Sequence, residues 1–171
     1  SYTQVTFSGA QMVRRLGKFS PDGQYFAIPT STSTVIFKKT GSAWAYLKEL
    51  DYSGNSLYCE AVAWKPDGSE LICYYVHESV NTSFVLYYSR SGDNFSLKKS
   101  LEASDSGKAS IYPNIEVIGN RIAIKSSVKS TSGWDNFTLY SYDNLSKIST
   151  IATYDNSYAR RSIQPYALYS E

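Results

Sequence analysis

Short apolar runs punctuated by turn residues pattern this chain, and the pattern repeats. Gly17-Lys18-Phe19-Ser20-Pro21-Asp22-Gly23-Gln24-Tyr25-Phe26-Ala27-Ile28 parallels Val62-Ala63-Trp64-Lys65-Pro66-Asp67-Gly68-Ser69-Glu70-Leu71-Ile72-Cys73. Each stretch reads as an apolar strand, a tight turn and a second strand. Pro21 and Pro66 preset φ at the first corner. Asp22 and Asp67 bond their own backbone, and Gly23 and Gly68 take the positive φ. Ile111 to Ile124 is a third copy, in which Ile118-Gly119-Asn120 replaces the Pro-Asp-Gly turn.

The second half of each unit repeats as well. Val35-Ile36-Phe37-Lys38-Lys39-Thr40-Gly41-Ser42-Ala43-Trp44 parallels Leu86-Tyr87-Tyr88-Ser89-Arg90-Ser91-Gly92-Asp93-Asn94-Phe95, and Leu139 to Leu145 is the third version. A strand ends, turns at Gly41 or Gly92, and restarts at an aromatic. Phe26 and Leu71 lie 45 residues apart, Leu71 and Ile122 51 apart. Four short strands at a period of about 40–50 residues predict the blades of a β-propeller.

The expected fold is therefore all-β, with about three four-stranded antiparallel blades at 12–50, 58–101 and 111–153. The expected strands are 12–19, 24–29, 34–39 and 44–50; then 58–64, 69–76, 83–90 and 95–101; then 111–117, 120–128, 136–142 and 147–153. Residues 1–7 read as the outer strand of a preceding blade, and 158–165 as the first strand of a following one. A closed ring takes about four blades or more. Further chain, or other copies of this chain, is expected to complete the shape.

Composition supports the all-β reading. Tyr is abundant (16 residues), while Met and His occur once each. Aromatic and β-branched residues suit a pleated, half-buried surface. The net charge of +2 gives no footprint for nucleic acid or an anionic membrane. No run approaches 18 apolar residues, so no membrane span is expected.

The Phe19-Ser20-Pro21-Asp22-Gly23 unit followed by an apolar strand resembles WD-repeat-like propellers. Joined to Tyr87-Tyr88-Ser89-Arg90-Ser91-Gly92-Asp93-Asn94-Phe95, it is similar to the propeller-repeat proteins of tailed bacteriophages. The likeness covers about residues 10–105 well and 106–155 weakly. Trp134-Asp135 lies before the third strand of its unit, not at its end, so it is not the WD signature. The resemblance implies a non-catalytic structural module of a virion or tail. Its partners would be other virion or fibre subunits, or surface carbohydrate, and its location the virion or the extracellular space. It implies no catalytic residues. A secreted, glycosylated fibre or surface-layer subunit that shares strands is the alternative, and a carbohydrate-active propeller enzyme the second.

Candidate chemistry is sparse. His77 is the sole histidine, and Cys59 and Cys73 form no close-spaced pair, so no metal site and no cofactor is expected. A triad would have to use His77 without a Gly-x-Ser-x-Gly elbow. Asp51, Glu60, Glu78, Glu102 and Glu116 remain as unassigned carboxylates. Cys59 and Cys73 fall nearly opposite each other across the Pro66-Asp67-Gly68 hairpin. Two buried thiols are expected there, with a cross-strand disulfide as the alternative.

Arg14-Arg15 and Arg160-Arg161 recur at one place in the repeat and are candidates for an anionic partner. Trp134, after Ser132-Gly133, is expected on a loop tip where it could stack on a sugar. Tyr75, Tyr87, Tyr112, Tyr140 and Tyr158 are the other aromatic candidates. Phe19, Trp44, Trp64 and Phe95 are expected between blades. Asn81, Asn94, Asn136 and Asn144 each open an Asn-x-Ser/Thr sequon, a glycan site only in a glycosylating compartment.

Overall fold

A computed structural model of the chain describes residues 17–52, 57–77, 82–103, 114–127 and 134–155. The described residues are all-β and form three four-stranded antiparallel sheets, with no helix among them. The first sheet runs β1 (Lys18–Phe19), β2 (Tyr25–Pro29), β3 (Ser33–Thr40) and β4 (Ala43–Asp51). The second runs β5 (Leu57–Trp64), β6 (Glu70–His77), β7 (Ser83–Ser91) and β8 (Asn94–Glu102). The third runs β9 (Asn114–Ile118), β10 (Arg121–Ser127), β11 (Trp134–Ser141) and β12 (Lys147–Asp155). Each sheet is a simple meander, and no strand passes from one to another. The expected strands at 1–7 and 158–165, and most of 12–19, lie outside the described residues.

The turns explain why the strands start where they do. Ser20 N donates to Tyr25 O at 2.8 Å and Gly23 N to Ser20 O at 2.8 Å. Lys65 N to Glu70 O (2.9 Å) and Gly68 N to Lys65 O (2.8 Å) repeat that closure one sheet later. Asp22 Oδ1 accepts from Gln24 N, and Asp67 Oδ1 from Ser69 N. Gly23 and Gly68 sit at φ +65° and +70°, the left-handed region that a Cβ penalises. The third sheet closes β9 to β10 with the two-residue turn Gly119-Asn120.

The sheets stack face to face. Tyr25, Ala27, Ile36 and Leu50 of the first sheet pack with Val62, Trp64, Leu71, Leu86, Tyr88 and Phe95 of the second. From the other face of the second sheet, Ala63, Ile72, Tyr74, Val85 and Tyr87 pack with Ile115, Val117, Ile122, Ile124, Tyr140 and Leu145 of the third. Alternation along each strand supplies both layers, because neighbours in sequence point to opposite faces.

Leu145 closes the third hairpin in an unusual way. It is the non-glycine residue with positive φ (+52°) among the described residues, yet it is buried, 3% exposed. It takes the place that Phe95 holds one sheet earlier, reaching back onto the preceding sheet. Backbone strain is offset there by apolar burial. Leu145→Ala should lower stability by about 2–5 kcal/mol, the range for emptying a buried leucine site. Urea unfolding with an unchanged m-value is the measurement.

Candidate functional site

The three sheets meet at two joints built from equivalent positions. Lys39 N donates to Gln24 O, Arg90 N to Ser69 O and Tyr142 N to Asn120 O, at 2.8, 2.8 and 2.9 Å. These bonds place Lys39, Arg90 and Tyr142 at one position of the three sheets. Tyr25, Glu70 and Arg121 likewise open the second strand after each turn. At each joint the first position, on the later sheet, meets the second position of the sheet before it.

In the joint between the first and second sheets, Arg90 Nη1 lies 2.8 Å from Asp22 Oδ2. Its guanidinium sits 4.7 Å above the Tyr25 ring and 5.8 Å from the Trp64 ring. The Tyr25 hydroxyl donates to Asp93 Oδ1 at 2.6 Å, and Lys38 Nζ bonds Asp93 Oδ2 at 2.7 Å. Tyr25, Trp64 and Phe95 pack ring against ring, with centroids 5.8–6.4 Å apart. Burial, reinforced by the bond to Asp93, pushes the Tyr25 phenol up to about 12. It therefore remains a donor throughout the neutral range. Burial alone would raise the Asp22 carboxyl, but Ser20, the Gln24 amide and Arg90 outweigh it and hold it below its ordinary value.

In the joint between the second and third sheets, the Tyr142 hydroxyl donates to Glu70 Oε2 at 2.5 Å. Lys98 Nζ bonds Glu70 Oε1 at 2.7 Å. Lys99 Nζ lies 4.1 Å above the Tyr87 ring and donates to the Asp143 carbonyl at 2.5 Å. The Tyr87 hydroxyl donates to the Tyr142 carbonyl at 2.8 Å. The chemistry differs from that of the first joint, but the positions do not. Phenol beneath guanidinium at one joint becomes carboxylate against phenol at the other.

The first sheet's outward face is different. Its Phe19, Phe26, Phe37 and Trp44 stand where the second sheet has Trp64, Leu71, Tyr88 and Phe95. Phe19 stacks on Phe26 at 4.4 Å, and Trp44 lies 5.4 and 6.3 Å from the two rings. Phe19 is nevertheless 60% exposed, Tyr46 47%, and Phe26 and Trp44 half-buried, whereas Phe37, at 5%, is as buried as Trp64 (8%) and Phe95 (7%). The expectation that Phe19 and Trp44 are buried between units holds only for their counterparts Trp64 and Phe95. No second apolar sheet covers this end of the face among the described residues.

Other candidates fall differently. Tyr75, Tyr87 and Tyr140 are core residues, 0–1% exposed, because the strand alternation turns them into the joints. Trp134 opens strand β11 opposite Asp155 and does not stand on a loop tip. Arg14, Arg15, Arg160, Arg161, Tyr112, Tyr158, Glu78 and Asn81 lie outside the described residues. Asn94 and Asn144 are exposed at hairpin turns, and Asn136 lies within β11. Cys59 and Cys73 are free, fully buried thiols, 3.1 and 3.4 Å from Thr34 Oγ1. Burial pushes the Cys73 thiol well above its ordinary range, which leaves it unreactive. His77 ends β6. Glu116 pairs with Lys18. Among the described residues no group of three or more His, Cys, Asp and Glu residues is placed to hold a metal ion. No described helix is long and apolar enough to cross a membrane.

A comparison with protein-family models and one with curated proteins give no match to this chain.

Glu70 is the acid-sensitive element of the joints. Its side chain is 8% exposed. Burial would raise its carboxyl, but the bonds from Lys98 and Tyr142 and the charges of Lys98 and Lys65 hold it below the usual 4.5. A folded value below the unfolded one makes the stabilisation complete above 4.5 and lost as pH falls through the folded value. Glu70→Gln should cost about 1–3 kcal/mol at pH 7. It should also flatten the fall in stability below pH 4.5. Urea midpoints on either side of that pH are the check, and an unchanged acid slope would refute the assignment.

Proposed function

We propose that the chain is a segment of a β-propeller acting as a non-catalytic structural and interaction platform of the kind tailed-phage particles carry. The observation that carries the reading is the ion pair between Lys18 of β1 and Glu116 of β9, which joins the first sheet to the third. Parallel layers stand about 10 Å apart, so a flat stack would hold those sheets about 20 Å from each other. A lysine cannot reach a carboxylate over that distance. The first strands must converge while the sheets splay apart, which is how blades radiate from an axis. Contacts of β5 with both β1 and β9 support the same arrangement.

The chemistry of the charged groups supports a scaffold. Asp22, Asp93, Glu70 and Glu116 each bond a basic side chain within a joint or across the stack. Asp67 belongs to its own turn, with a carboxyl lowered to about 2, chiefly by the Ser69 hydroxyl and amide. These carboxylates serve the fold. The virion setting rests on the repeat's likeness to phage propellers, and a particle's need for stiff modules with variable loops is compatible with it.

Two experiments test the reading. Lys18→Cys combined with Glu116→Cys should form an intramolecular disulfide under mild oxidation, seen as a mass loss of two hydrogens on an unchanged monomer. Sheets in a flat stack would give only intermolecular products. Incubated with bacterial surface polysaccharides, the chain should leave their mass distribution unaltered. Turnover that disappears in Glu60→Gln would replace the platform reading with an enzyme.

A further inference from the structure

We infer that Cys59 and Cys73 form a binding site for a two-coordinate thiophilic cation of the univalent copper class, set in the joint between the first and second sheets. The inference rests on local geometry and stands apart from the platform reading. Both thiols are fully buried, and they lie 3.1 and 3.4 Å from one hydroxyl, Thr34 Oγ1 of the facing sheet. They also meet each other: burial, and then a hydrogen bond with Cys59, lift the Cys73 thiol. That closes both sulfurs to electrophiles in solution, but not to an ion that replaces their protons.

Register decides what two such sulfurs can do. Cys59 stands opposite Tyr75 and Cys73 opposite Val62, with Glu60 as the bulge residue between the rows. The cysteines are therefore diagonal neighbours on one face, not a directly opposed pair. Diagonal neighbours hold their Cβ atoms about 7 Å apart, whereas a disulfide needs about 3.5–4.5 Å. A metal–thiolate bond is about 2.3 Å long, so a linear sulfur–metal–sulfur unit sets the sulfurs about 4.6 Å apart. The diagonal spacing suits that bridge and strains the disulfide. Thiolate ligands select univalent copper. Among the described residues no third His, Cys, Asp or Glu joins the pair, which leaves zinc without its four ligands.

The Tyr75 hydroxyl is a second, independent observation. Tyr75 is the cross-strand partner of Cys59 and is 0% exposed, yet its hydroxyl has no hydrogen-bond partner. Thr34 and the two thiols are among the polar groups around it. Buried polar groups are as a rule hydrogen-bonded, so an idle phenol calls for a reason. A thiol is a weak acceptor, and a charged thiolate a far stronger one. One univalent ion displaces both thiol protons to solvent and leaves a single negative charge on the sulfur–metal–sulfur unit. No electron is transferred. Thr34 and Tyr75 then offer one O–H donor to each sulfur. Both sulfurs are inaccessible in the closed joint, so the ion enters while the joint forms or opens.

Refolding the chain from urea without oxygen, with Cu(I) held by excess bicinchoninate, tests the site. Native mass spectrometry should show one copper gained and two protons lost, and the urea midpoint should rise. Cys59→Ser and Cys73→Ser should each abolish both effects. Tyr75 is a positioning residue, and Tyr75→Phe should weaken copper binding about 10–100-fold, as loss of a group that bonds a metal ligand does. Zinc in place of copper should change neither mass nor midpoint. Copper that stays with bicinchoninate, or that the Cys73→Ser chain still retains, overturns the inference. A midpoint lowered by copper does so too, because an ion that prefers the unfolded chain has that effect. Should a serine variant fail to fold, unchanged affinity in Tyr75→Phe is the overturning result. None of these outcomes bears on the cross-link between positions 18 and 116, so the two readings fail separately.

Discussion

The second sheet has two apolar faces, and a meander of four strands cannot cover itself. That constraint governs everything else. The alternation of the second sheet points Leu71, Cys73, Leu86 and Tyr88 one way and Ile72, Tyr74, Val85 and Tyr87 the other, all of them at most 5% exposed. Only neighbours on both sides make such a strand pair stable in water. Stacking is therefore the condition under which the sheets can exist, and the joints are where the sequence specifies which sheet meets which.

Apolar layers alone would not fix that order, because burial is nearly indifferent to partner. A polar pair marks the rim of each joint. Tyr25 beneath Arg90 and Glu70 against Tyr142 occupy equivalent places with different chemistry.

The strands and turns were legible in the sequence because they rest on local chemistry. Pro-Asp-Gly at 21–23 and 66–68 and the period of two locate the strands nearly residue for residue, as in β6, expected at 69–76 and found at Glu70–His77. What was not legible is long-range. The pairing of Lys18 with Glu116 spans most of the chain and leaves no local mark. Exposure of Phe19 and Trp44 could not be read either, because their sequence context matches that of buried Trp64 and Phe95. The difference lies in whether another described sheet packs against them, not in the residues. Leu145 lies in the stretch that repeats the Phe95 hairpin, but its positive φ follows from a longer turn that no glycine announces.

The outer edges of the sheets argue that association proceeds by faces. In all three sheets the register of the outermost strand shifts: between Ile36 and Phe37, between Tyr87 and Tyr88, and, in the third sheet, both between Phe137 and Thr138 and between Leu139 and Tyr140, on the strand within. Leu47, Lys98, Ile148 and Ile151 are the extra residues that result. A bulge breaks the row of backbone donors and acceptors and increases local twist, which makes an edge a poor template for an added strand. Three of the four bulges stand at equivalent positions, one each on β4, β8 and β12. Strand sharing along β4, β8 or β12 would have to dismantle them.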